Sequence, residues 1–218
     1  MTSYTGEVQV GGPAGVRELP GLRVTKAAVG PMDNNAYLLR CAQTGEVLLV
    51  DAAAEPDRLL ELLGLDRLAR VVTTHRHRDH WQALPAVVAA TSAPVAAHPL
   101  DAGGLPVPVA EPLADGDEVR VGEAALRVIH LRGHTPGSIA LLYDAGGEGA
   151  HLFTGDSLFP GGPGRTTSAA DFASLMGDLE VKVFGRLPDA TWVYPGHGDD
   201  TTLGAERPAL PQWRARGW

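Results

Sequence analysis

Apolar positions along the chain come in short runs broken by Gly and Pro, the rhythm of many short strands with a few helices between them. Residues 21 to 29, 35 to 41 and 46 to 51 carry aliphatic and β-branched side chains between turn signals, which predicts an antiparallel run. In "EPDRLLELLGLDRL", residues 55 to 68, the leucines fall at helical spacing after an acidic, proline-containing start. "ARVVTT" at 69 to 74 reads as a buried strand, with a helix beginning near Asp79. A second series follows, with strands over 94 to 98, 125 to 132, 138 to 144, 150 to 156 and 191 to 196 and a helix over about 169 to 186. The halves share their order of elements without a residue-level repeat. No linker divides them, so residues 1 to 218 are expected to form one α/β domain.

Composition narrows the class. With 44% hydrophobic and 20% charged residues the chain has the balance of a soluble globular protein and not of a disordered one. A net charge of -8 without a dense Lys/Arg run argues against nucleic acid or an anionic membrane as the main partner, which leaves a small molecule. The single cysteine, Cys41, cannot form an internal disulfide and reads as a small buried hydrophobe. No secretory leader pattern or bilayer-length apolar run is visible, so a cytoplasmic location is the expectation, with the oligomeric state left open.

The strand ends carry the chemistry. "TTHRHRDHWQ" places His75, His77, Asp79 and His80 after one strand, "RGHTPGS" places His134 after another, "FTGDSLF" places Asp156 and "YPGHGDD" places His197. Loops at strand exits converge on one edge of a sheet, so these residues are candidates for a common site. Five imidazoles and two carboxylates make a nitrogen and oxygen donor set suited to zinc, iron or manganese. Seven donors are too many for one tetrahedral ion and enough for two with a shared carboxylate. Two ions about 3.5 to 4 Å apart can activate a bridging hydroxide, with Asp79 placed to hold its proton.

The spacing His-x-His-x-Asp-His, followed by a His, an Asp and a last His, resembles the metallo-β-lactamase superfamily over residues 47 to 198. The resemblance implies a four-layer αβ/βα sandwich with its metals along one edge of the paired sheets. It implies one metal at His75, His77 and His134, a second at Asp79, His80 and His197, Asp156 shared between them, and two Zn2+ as cofactors, with iron or manganese as alternatives. Asp51, ending "VLLVD", matches a family aspartate beside the site and is expected to orient a ligand. "FTGDSLF", "GGPGRT" and "VYPGHGDDTTLGAERP" are similar to glyoxalase II and its small relatives, which implies a hydrolase for a small ester or thioester. The chain departs from full glyoxalase II at Pro163 and Thr167 and in its short tail at 199 to 218, where no helical glutathione region is expected. Phe159 stands where acyl-homoserine lactonases carry a tyrosine.

Two other readings remain beside it. Persulfide dioxygenases share the scaffold and the "GRT" element but use one Fe(II), at the positions of His75, His134 and Asp156. A metal-stabilised, non-catalytic binding module would keep the fold without a labile water. Arg165 is read either as a loop anchor or as a contact for a substrate anion. His98, His130 and His151, within or beside apolar strands, are assigned to packing or to satisfied hydrogen bonds.

Overall fold

A computed structural model describes residues 4–217 of the protein. The first sheet runs in sequence order: β1 (Gly15–Leu19), β2 (Leu22–Val29), β3 (Asn34–Cys41), β4 (Val47–Val50), β5 (Leu68–Val72), β6 (Val95–Ala97) and β7 (Glu111–Pro112). Tight turns make β1 to β4 antiparallel, and from β4 onward the pairing is parallel. Parallel neighbours need crossovers, supplied here by α1 (Pro56–Leu63) between β4 and β5 and α2 (Leu84–Thr91) between β5 and β6. The short α3 (Pro99–Ala102) follows β6.

The second sheet has the order β15-β14-β11-β10-β9-β8. It comprises β8 (Glu118–Val121), β9 (Ala124–His130), β10 (Ile139–Asp144) and β11 (Ala150–Gly155), then β14 (Trp192–Pro195) and β15 (Thr201–Thr202). Between β11 and its parallel neighbour β14 lie a hairpin, β12 (Leu158–Phe159) with β13 (Gly162–Pro163), and the crossover helix α4 (Ala169–Asp178). The chain ends in α5 (Leu203–Glu206) and α6 (Leu210–Arg216).

Period-two alternation sorts each strand between two cores. On β3, Tyr37, Leu39 and Cys41 join Val128, Ile139, Leu141, Phe153 and Tyr194 of the second sheet in one buried cluster between the sheets. Ala36 and Leu38 face the other way, toward Leu59 and Leu63 of α1 and Leu84 and Val87 of α2. The outer face of the second sheet is covered by Phe172, Leu175 and Met176 of α4 and by Val183 beyond it. Helix, sheet, sheet and helix are therefore stacked as the expected four-layer αβ/βα sandwich.

Several boundaries differ from the sequence expectation. The helix expected over 55 to 68 stops at Leu63, because Gly64 takes φ 65 and donates its N–H to the Leu60 carbonyl. The helix expected near Asp79 is a single 3-10 turn, Arg78–His80, and α2 starts only at Leu84. The span 169 to 186 is α-helical to Asp178 and then widens into a π turn over Leu179–Phe184. Six strands have no sequence expectation: β1, β7, β8 and β15, which form the edges of the two sheets, and β12 and β13 of the small hairpin.

Candidate metal centre

The first sheet delivers the histidine-rich segment and a rigid support for it. β5 ends at Val72, and the two threonines that follow lead straight into His75. Asp51, just past β4, adopts φ 59 and is buried. Its carboxylate accepts from the Thr74 N–H at 2.7 Å, from the Thr74 hydroxyl at 2.7 Å and from His80 Nδ1 at 2.8 Å. Asp51 thus fixes both the loop and one imidazole. The second sheet supplies His134 after β9, Asp156 after β11 and His197 after β14.

The structure brings all seven candidate donors together, in two groups: His75, His77, His134 and Asp156, and Asp79, His80 and His197. In the first, His75 Nε2 lies 3.1 Å from His77 Nδ1 and 3.2 Å from His134 Nε2, and Asp156 Oδ2 lies 3.4 Å from His134 Nε2. In the second, His197 Nε2 is 3.2 Å from both His80 Nε2 and Asp79 Oδ2, and Asp79 Oδ2 is 3.5 Å from His80 Nε2. A tetrahedral ion with bonds of about 2.0 to 2.1 Å places its donors about 3.3 to 3.4 Å apart, so both groups have the right dimensions. Asp156 joins them: Oδ2 lies 3.4 Å from His134 Nε2 and 3.6 Å from His197 Nε2, and Oδ1 sits 3.2 Å from His80 Nε2.

Outer hydrogen bonds assign the imidazole tautomers. The Nδ1 atoms of His134, His197 and His80 meet the Arg165 carbonyl at 2.7 Å, the Met32 carbonyl at 2.8 Å and the Asp51 carboxylate. Each Nδ1 donates there, so each Nε2 presents a lone pair inward, as a metal ligand requires. Asp156 Oδ1 is buried without a hydrogen-bond partner. An orphaned carboxylate oxygen among inward-facing nitrogens is the signature of a cation site, and the residues present fit one.

Electrostatics agree. Burial pushes His75 well below the ordinary histidine range and lowers His134, which favours neutral ligands. Burial also opposes charge on His197, yet Asp156 and Asp79 push its pKa up to about 10. His80 is raised in the same way, against burial, by Asp156 and Asp51. Asp79 is lowered chiefly by its hydrogen bond with His197, and Asp156 is held down by His80 and His197 despite burial. The carboxylates thus favour positive charge in the second group, which is what a bound cation would supply.

Other residues resolve around this centre. The Arg165 side chain has no ion pair or hydrogen bond among the described residues, while its carbonyl positions His134. Phe159 lies beside the second group, its ring centroid 6.2 Å from that of His197. His98 caps α3 and stacks on His130 at 4.0 Å, and His151 meets the Tyr194 hydroxyl at 3.0 Å, so all three stand apart from the donors as expected. Cys41 is buried. Sequence reasoning missed Asn34, whose amide reaches Asp79, and Gly196, which leaves space beside Asp156. The "DNN" preceding an apolar run signals a turn, but not a turn that touches residues 79 and 197.

Comparison with known proteins bears on these features together. A hydroxyacylglutathione hydrolase from Fuscovulum blasticum is 39% identical over 169 residues, covering 76% of this chain and 62% of that protein. The chain thus spans less than two thirds of the length of that relative. The crystal structure of ETHE1 from Myxococcus xanthus matches with a TM-score of 0.76 at 30% identity, covering 88% of this chain and 84% of that one. The structure of TTHA1623 in a di-iron-bound form matches with a TM-score of 0.67 at 36% identity, covering 83% of this chain and 95% of that one. The model of the metallo-beta-lactamase superfamily matches residues 29–197, a span that contains every donor of both groups, and the chain belongs to that superfamily.

Proposed function

We propose that the protein is a dinuclear metallohydrolase acting on a small ester or thioester. The observation that carries this reading is Asp156, whose carboxylate reaches both donor groups, with Oδ2 3.4 Å from His134 Nε2 and 3.6 Å from His197 Nε2, and whose Oδ1 is buried without a hydrogen-bond partner among the described residues. His75, His77 and His134 would hold one ion, Asp79, His80 and His197 the other, and Asp156 both. Divalent zinc, iron or manganese bound there would supply an acidified water at neutral pH and polarisation of a substrate carbonyl. The chain's own residues do the rest. Asp79, kept ionised beside His197, is placed to hold and orient the proton of the attacking water. Phe159 forms an apolar wall on the side of the second group. Arg165, unpaired and exposed, is placed to meet a substrate carboxylate, which favours an anionic thioester. The hydroxyacylglutathione hydrolase relatives support this choice of bond.

A second reading has its own observation. His75, His134 and Asp156 by themselves form a two-histidine, one-carboxylate set, the donor pattern of non-haem Fe(II) oxygenases. Metal analysis of protein purified without chelator, paired with a panel of thioesters, lactones and persulfides, separates the two. The expected result is two ions per chain, thioester cleavage without O2 uptake, and a large fall in kcat for Asp79→Asn with the fold retained. One iron per chain with O2 consumed on a persulfide would establish the dioxygenase instead.

A further inference from the structure

Among the described residues the Asp79 carboxylate has two side-chain hydrogen-bond neighbours, His197 and the amide of Asn34. Asn34 Nδ2 donates to Asp79 Oδ2 at 2.9 Å and lies 3.3 Å from His197 Nε2. Asn34 is buried and opens β3, on the far side of the β2–β3 turn. That turn is fastened to the segment carrying His197. Asn34 and His197 form an isolated antiparallel bridge, Asn35 donates its N–H to the Gly196 carbonyl at 2.7 Å, and Met32 and Asp33 accept from His197 Nδ1 and the Gly198 N–H. The Asn35 side chain adds donations to the Pro195 and Gly198 carbonyls.

With His197 Nε2 and Asp79 Oδ2 both turned toward the second metal position, 3.2 Å apart, what fixes the carboxylate must come from outside the donor set. Outside the donor set, Asn34 is the one side chain that donates a hydrogen bond to that carboxylate among the described residues. Asp79 is partly exposed and sits on a single 3-10 turn, so its two side-chain torsions are otherwise weakly constrained. We propose that Asn34 is a positioning residue for the second metal position: its amide holds Asp79 Oδ2 toward His80 and His197. The proposal rests on the dinuclear reading above and extends it to a residue outside the donor set. The same contact couples two ligands that come from different sheets, because one turn grips the His197 backbone and the Asp79 carboxylate together.

Groups that orient a metal ligand typically change affinity about 10- to 100-fold when removed. The test is calorimetric titration of the metal-free full chain with Zn2+ for wild type, Asn34→Ala and Asn34→Leu, the second variant filling the space that alanine leaves empty. Co2+ absorption spectra report the coordination at each position. In both variants the first ion should bind as in wild type, the second about 10- to 100-fold more weakly with an altered Co2+ spectrum, and the metal-free melting curve should stay close to wild type. Wild-type affinity for the second ion in both variants would overturn the proposal. Equal weakening of both ions together with a lower metal-free melting temperature would also overturn it, since Asn34 would then serve the fold alone. A wild-type chain that saturates at one ion would instead remove the dinuclear reading, and this proposal with it.

Discussion

Gly196 occupies a position with room for a hydrogen and little else. A Cβ built there would lie 2.2 Å from Asp156 Oδ1, 2.7 Å from His80 Cε1 and 3.1 Å from the Gly155 carbonyl carbon. Two of those neighbours belong to candidate ligands, so the clash is resolved by moving the centre itself. We expect Gly196→Ala to weaken the binding of both ions at least about tenfold, since Asp156 lies against both donor groups. Far-UV circular dichroism should remain that of wild type. Retention of both ions at wild-type affinity in a metal titration would mean that the segment shifts as a whole and spares Asp156. The sequence "YPGHGDD" displays this glycine only as a loop former, and the reason for it emerges from the approach of β14 to β11 beside His80.

At the scale of elements, β11 and β14 share a buried polar contact whose titration is separate from the donors. His151 Nδ1 shares a hydrogen bond with the Tyr194 hydroxyl at 3.0 Å, and Nε2 is buried without a partner among the described residues. Burial, reinforced by Arg17, holds the His151 pKa at about 4 against an ordinary 6.5. The folded chain therefore resists a proton that the unfolded chain accepts. The stability this gives is complete above pH 6.5 and is lost as pH falls through about 4. His151→Asn keeps an acceptor for Tyr194 without a titrating group, and the fall in urea midpoint between pH 6.5 and 4 should be shallower than in wild type. An unchanged acid limb would assign that loss to the carboxylates alone. These central strands were legible because short runs rich in aliphatic and aromatic residues, "AHLFTG" and "WVYP", stand between turn signals. β1 and β8 were not, since an edge strand with alternating charged residues, as in "EVRV", resembles a solvated loop. The early end of α1 was hidden for a different reason: the leucine period continues through Leu65, but Gly64 turns the chain before it.

At the scale of the molecule, the seven donors were legible because each stands at a strand exit in a spacing that few proteins share. What holds the exits in register was not, because the contacts join residues far apart in sequence. The clearest case is a buried ion pair. The side chains of Lys26 and Asp200 are both fully buried, with Lys26 Nζ donating to Asp200 Oδ1 at 2.7 Å and to the carbonyls of Gly6 and Gly198 at 2.6 and 2.7 Å. Asp200 Oδ2 accepts from the Tyr4 hydroxyl at 2.7 Å and Trp192 Nε1 at 2.8 Å. One charge pair thus ties the N-terminal segment, β2, β14 and the loop just beyond His197. Burial already raises the Asp200 pKa against the pull of Lys26, so the carboxylate depends on that ammonium for its charge. Removing one partner of a buried pair leaves an uncompensated charge and costs about 3 to 5 kcal/mol. Lys26→Met should lose stability of that order in urea unfolding of the metal-free chain. The double variant Lys26→Met, Asp200→Asn should recover part of it, because an asparagine carbonyl still accepts from Tyr4 or Trp192 and carries no charge to bury. If the double variant were no more stable than Lys26→Met alone, the loss would come from the Gly6 and Gly198 carbonyls that Lys26 also satisfies. The lysine would then act as a backbone clamp for the His197 loop, and the ion pair would be incidental to it.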